Sequence, residues 1–113
     1  MERRPVGITL VAVGGFAGAV LRHGVALVVG DVAGTLAVNV VGAFALGLLV
    51  ARAVSPGARL LLGTGLLSSF TTYSTFAADA VALAPAWSVA YVAATYAFGL
   101  GAGAAGLAAG RRL

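Results

Sequence analysis

Cysteine and lysine are both missing from the 113 residues. Without cysteine there are no disulfides, no thiolate metal sites and no thiol nucleophile. Without lysine there is neither Schiff-base chemistry nor the lysine of a phosphate-binding loop. Charge of any kind is scarce, at 9% of residues: seven arginines stand against three acids, beside one histidine. A soluble domain carries about a quarter charged residues, so this chain cannot build a water-facing surface. Its one histidine, His23, and its acids, Glu2, Asp31 and Asp79, cannot assemble a nucleophile, a base and an orienting acid. An enzyme is excluded on that ground. The formal charge of +4 would suggest nucleic acid in a soluble protein. Here the arginines lie at the ends of apolar runs, where membrane topology explains them and no nucleic-acid partner is expected.

Apolar residues are abundant: 61% of the chain, with a mean hydropathy of +1.07. Polar breaks at Arg22–His23, at Asp31, from Arg52 to Arg59 and at Ala84–Pro85 leave four runs, near 6–29, 33–54, 59–83 and 86–109. Each is about the 20 residues that cross a bilayer as helix. The expectation is an all-α membrane protein, one domain over 1–113, with four spans and short antiparallel connections. The basic start and first apolar run resemble a cleavable signal, but the rest is equally apolar, so that run reads as the first span. Arg3, Arg4, Arg52, Arg59, Arg111 and Arg112 fall on one face of this topology, against Glu2 alone. The positive-inside rule then places both termini in the cytoplasm of a multi-pass cell-membrane protein.

Glycines four apart (Gly14 and Gly18, Gly99 and Gly103, Gly106 and Gly110) form small faces on which membrane helices pack closely. Gly101-Ala-Gly103-Ala-Ala-Gly106 matches a dinucleotide-binding pattern, but no strand precedes it. The unusual stretch is Ser68-Ser-Phe-Thr-Thr-Tyr-Ser-Thr75, in which every residue except Phe70 carries a hydroxyl. One or two hydroxyls are tolerated in a membrane helix by bonding the carbonyl one turn back; seven together, downstream of Gly63 and Gly65, predict a break in the third span at mid-membrane depth. Such a break leaves carbonyls suited to a cation and N–H groups suited to an anion. Phe70, Tyr73 and Phe76 share a helical face, either as plain packing or as ring edges, which are electropositive and can line an anion path.

Three segments, Gly14-Gly-Phe-Ala-Gly-Ala-Val-Leu-Arg22, Gly34-Thr-Leu-Ala-Val-Asn-Val-Val-Gly42 and Phe70-Thr-Thr-Tyr-Ser-Thr-Phe76, resemble in order the signature segments of the Fluc/CrcB fluoride channel family. The resemblance implies a passive fluoride-selective channel that lowers cytoplasmic fluoride. It also implies an antiparallel dimer with two pores and a structural sodium ion at its centre. By that pattern the carbonyls of Ser68 and Thr71 hold the sodium, with Ser68 and Ser69 standing where the family usually has glycine. Tyr73 and Phe76 map onto the pore aromatics, Tyr73 replacing the usual phenylalanine with an added hydroxyl. Asn39 maps onto the pore asparagine, a fluoride donor or an interhelical hydrogen bond. Tyr91 and Thr95, one turn apart, map onto a polar track in the last span. Arg22 maps onto an arginine that attracts anions at a vestibule; snorkelling and pairing with Asp31 are its other readings. His23 carries no role.

An antiparallel homodimer requires one chain to insert both ways, which six arginines on one face oppose. The expectation is therefore an antiparallel partner that is a related chain of opposite bias, slightly ahead of a self-pair, within membrane lipid. Three other functions compete with this reading. A small multidrug-type exporter needs a carboxylate within its first span, and the only glutamate is Glu2. A non-conducting packing or assembly subunit leaves the hydroxyl cluster without purpose. A proton-driven ring subunit would need an acid at mid-span, whereas Asp79 falls toward the end of the third span, where a charge costs less.

Overall fold

The computed structural model describes residues 3–113, with the side chains of residues 3, 4 and 31 outside that description. Glu2 lies outside the described residues, as does the side chain of Asp31, the partner in one of the readings of Arg22. Those residues form α1 (Arg3–Val29), α2 (Asp31–Ala51), a single turn α3 (Pro56–Ala58) and a π-helix (Arg59–Leu67). A second single turn, α4 (Ser68–Phe70), then α5 (Ser74–Ala82) and α6 (Pro85–Arg112) complete them, with no strand among the described residues. The chain is an all-α membrane protein. Three helices, Pro5–Val29, Val32–Ala51 and Pro85–Arg112, are long and apolar enough to cross a bilayer. The segment between α2 and α6 is built from shorter pieces.

Local chemistry sets the boundaries. Gly30, with φ 103°, is the whole connection between α1 and α2, and only glycine adopts that conformation without strain. Arg52 is extended (φ −99°, ψ 144°), ending α2. Ser55 then caps the next turn, accepting the Ala58 N–H at 3.1 Å with Pro56 in the first helical position. The Arg59 guanidinium donates back to the Arg52 carbonyl at 3.3 Å, satisfying an acceptor left bare at the C-terminus of α2. Ala84 is extended because a proline follows it, and α6 starts at Pro85.

Glycine contacts give the directions of packing. A Cβ at Gly14 or Gly18 would collide with the backbone of Leu61 and Leu66, and Gly7 lies beside Leu60, so α1 and the π-helix run parallel. Likewise Gly106 abuts the Phe44 carbonyl and Gly110 packs on Ala51 and Leu48, so α2 and α6 run parallel. Gly34 against Val25 and Ala26 makes α1 and α2 antiparallel. Gly14–Gly18 and Gly106–Gly110 are thus true packing faces. Gly99 differs: nothing lies within 4 Å of a Cβ placed there.

The π-helix is absent from the sequence reading, which takes this span as α-helix up to a break. The Ser68 N–H and hydroxyl both reach the Gly63 carbonyl five residues back, the hydroxyl at 3.2 Å. Gly65 lies in backbone contact with Val11, Gly14 and Gly15, so the widened turns sit against the small face of α1.

Candidate functional site

Helix propagation stops after Phe70 and resumes at Ser74. Thr71 is extended at ψ 159°, although its N–H and hydroxyl still reach the Leu67 carbonyl at 3.0 and 2.9 Å. The next amide, Thr72, leaves the helix and donates to the Asn39 side-chain oxygen at 2.8 Å; the Asn39 Nδ2 donates in turn to the Thr72 carbonyl at 2.9 Å. The Thr72 hydroxyl accepts the Thr75 N–H at 3.1 Å and so starts α5, whose first turn closes with Ala77 N–H to the Tyr73 carbonyl at 2.9 Å.

These bonds take the helical donors away from two of the carbonyls at the break. In an uninterrupted helix the Ser68 carbonyl would receive the Thr72 N–H and the Thr71 carbonyl the Thr75 N–H. Both donors are committed elsewhere, to Asn39 and to the Thr72 hydroxyl. The carbonyls of Ser68 and Thr71 are the pair that the family resemblance implies as cation ligands. Neutral carbonyl oxygens without helical partners are suitable ligands for a hard cation such as sodium. A cavity of about 280 Å³ lies beside them, lined by Ser68, Thr71, Asn39 and Gly42.

Hydroxyls in the stretch divide into structural and open ones. Those of Ser68, Thr71 and Thr72 bond backbone groups. Ser74 pairs with Thr72 at 3.4 Å, and Ser69 lies against Gly15 of α1. Thr75 lines the vestibular cavity described below, and Tyr73 projects outward, 74% exposed.

The aromatics form a cluster centred on buried Phe76, whose ring centroid lies 5.9 Å from Tyr73, 5.3 Å from Tyr91 and 6.2 Å from Tyr96. The Tyr96 contact is edge-on at 85°, while the other two are tilted. Asn39, Tyr73, Phe76 and Thr95 line one cavity of about 380 Å³ together with Tyr96, which sequence reasoning missed. Its signal was weak: Tyr96 falls five residues after Tyr91, outside the one-turn pattern that linked Tyr91 to Thr95. Thr95 Oγ1 is buried there with no hydrogen-bond partner. Tyr91 does not line that cavity; it packs behind Phe76. Its buried hydroxyl approaches Thr35 and Asp79 without a well-formed hydrogen bond.

A third cavity, of about 310 Å³, opens between α1, α2 and α5 and is lined by Arg22, His23, Thr35, Thr72, Thr75 and Asp79. Arg22 Nε is buried there with no partner. Asp79 accepts from the buried Thr35 hydroxyl at 2.9 Å, which gives that carboxylate a polar anchor one turn from the end of α5. The Thr35–Asp79 pair was not foreseen, because its members stand 44 residues apart. His23 is exposed at the mouth, beside Arg22. Thr72 borders this cavity and the aromatic one, so the break lies between the two.

Comparison with known proteins supplies a context for this geometry. Residues 9–107 match the family model described as CrcB-like protein, Camphor Resistance (CrcB). The "Fluoride-specific ion channel FluC 2" of Halobacterium salinarum is 51% identical over 110 residues, covering 92% of this chain and 83% of that one. The "Fluoride-specific ion channel FluC 1" of Natronomonas pharaonis is 50% identical over 103 residues, 85% of this chain and 87% of the other. A bacterial relative from Allorhizobium ampelinum, "Fluoride-specific ion channel FluC", is 44% identical over 121 aligned positions, covering 94% and 97%.

Proposed function

This chain belongs to the CrcB-like family, whose members are ion channels and not enzymes, and from that premise we propose that it is a fluoride-selective passive channel that lowers cytoplasmic fluoride. The observation that carries the reading is the aromatic cavity beside the break. It combines ring faces and edges around Phe76, the Asn39 amide and the orphaned Thr95 hydroxyl, without a full positive charge. A small anion enters such a site by exchanging water for N–H, O–H and ring-edge donors, and leaves because no cation holds it. Arg22, with its unpartnered Nε, draws anions into the vestibular cavity, and Thr72 and Thr75 offer hydroxyls toward the break. Tyr73 and Phe76 supply the aromatic wall, Thr95 a donor within it, and Tyr91 fixes Phe76 from behind.

The parallel pairing of α1 with the π-helix and of α2 with α6 supports four crossings, the third being the interrupted segment. With Arg52, Arg59, Arg111 and Arg112 at the same end as the N-terminus, both termini are cytoplasmic. The functional unit is an antiparallel dimer across the broken segment, with the freed carbonyls of Ser68 and Thr71 holding a sodium ion at its centre. When bound, that ion supplies positive charge that keeps the broken turns together. The basic end favours a partner of opposite bias, and the numbered names FluC 1 and FluC 2 among the relatives support pairing of related chains. Expression in a bacterial strain made fluoride-sensitive tests the physiological role. Growth at fluoride levels that stop the parent strain is expected, alone or with a related chain of opposite bias. Unchanged sensitivity in both cases, with the protein inserted in the membrane, contradicts it.

A further inference from the structure

We propose that Asn39 is the positioning residue of the break, its carboxamide standing in for the missing helical turn and fixing the orientation of Thr72 and, through it, of the Ser68 and Thr71 carbonyls. The inference deepens the channel reading and rests on it only where ion flux is the readout.

A carboxamide has one acceptor oxygen and two N–H donors. Here the oxygen takes the Thr72 N–H at 2.8 Å and one N–H goes to the Thr72 carbonyl at 2.9 Å, so both backbone groups of a single residue are held by one side chain. Thr72 then presents its hydroxyl to the Thr75 N–H, which diverts the donor of the Thr71 carbonyl. The Asn39 oxygen diverts the donor of the Ser68 carbonyl. Both freed carbonyls therefore depend on this clamp. Gly42, one turn further along α2, makes it possible: a Cβ there would collide with the Thr71 methyl group, so glycine lets the broken backbone come close enough for Asn39 to span it. Gly42 sets the approach and Asn39 the orientation. A single Asn39 N–H is left for the aromatic cavity, so an anion there accepts at most one hydrogen bond from this residue.

Amide hydrogen exchange of wild-type, Asn39→Ala and Gly42→Ala protein, alongside fluoride efflux from vesicles, tests this role. In the wild type the Thr72 amide is protected although it lies outside any helix. Asn39→Ala raises its exchange about tenfold or more, the equivalent of one lost hydrogen bond, while the Ala77 amide in α5 keeps its protection. Gly42→Ala offers no group to an anion, yet it raises Thr72 exchange and lowers flux in the same direction by pushing the break off α2. If Asn39→Ala fails to fold, Gly42→Ala carries the test alone. Loss of flux in Asn39→Ala with Thr72 exchange unchanged overturns the proposal and leaves Asn39 as an ion ligand only; an unprotected Thr72 amide in the wild type also overturns it. Absence of fluoride flux in the wild type counts against the channel reading and leaves the exchange result standing.

Discussion

Phe76 is the residue on which the aromatic cavity turns. It is 7% exposed and touches three tyrosine rings, whereas Tyr73, one helical turn back, is 74% exposed. Their roles therefore separate by burial. Phe76→Ile preserves apolar bulk but removes the ring edge, so fluoride flux falls at least about tenfold, as expected when about 1.4 kcal/mol of favourable interaction is lost from the path. Tyr73→Phe keeps the ring and removes only an exposed hydroxyl, so flux stays within about twofold, a change worth less than about 0.5 kcal/mol. Efflux rates from vesicles at matched protein content measure both. An active Phe76→Ile variant would remove ring edges from the account. At this scale the sequence was legible where chemistry is local: Asn39, Phe76, Thr95 and Arg22, singled out from the sequence, each line a cavity at the break. The Thr35–Asp79 bond, the Tyr96 edge and the double bond from Asn39 to Thr72 were not legible, because each joins segments that only tertiary packing brings together.

Among the elements, the interrupted segment differs from its neighbours. Its break follows from hydroxyl side chains that supply alternative partners to the backbone, and the dense run from Ser68 to Thr75 announced it. The preceding π-helix had no such signal. Glycines at 63 and 65 allow it, but periodicity cannot tell five-residue from four-residue hydrogen bonding over nine residues. Close approach in both parallel pairs depends on absent side chains, Gly18 of α1 against Leu66 and Gly106 of α6 against Phe44, so Gly18→Ala and Gly106→Ala should each lower stability by about 1–3 kcal/mol through overpacking. Gly99→Ala, with open space around its Cβ, should be neutral or gain up to about 1 kcal/mol from helix propensity. Unfolding in detergent compares the three. Equal losses at all three positions would mean that Gly99 is covered by a second chain.

At the scale of the whole molecule, Arg52, Arg59, Arg111 and Arg112 collect at one end, while Asp79 lies toward the other, near the end of α5. Two parallel helix pairs, joined by short connections, give a shape about 51 Å long, enough to cross a bilayer of about 30 Å hydrocarbon thickness with ends to spare. Exposed Phe16, Leu27, Val28, Val81 and Leu100 on the outside suit lipid or a second chain and would be untenable in water. Three cavities meet at one break: carbonyls beside one, aromatic edges around another, and an arginine over the third. That convergence is why the break is read as the ion pathway. The most direct test is ion efflux from vesicles containing the purified chain, with fluoride and chloride compared in the same preparation. Rapid fluoride efflux with chloride retained, from the chain alone or with a related chain of opposite charge bias, is the predicted result. Folded protein that passes no fluoride in either setting, or passes chloride as readily, would contradict it.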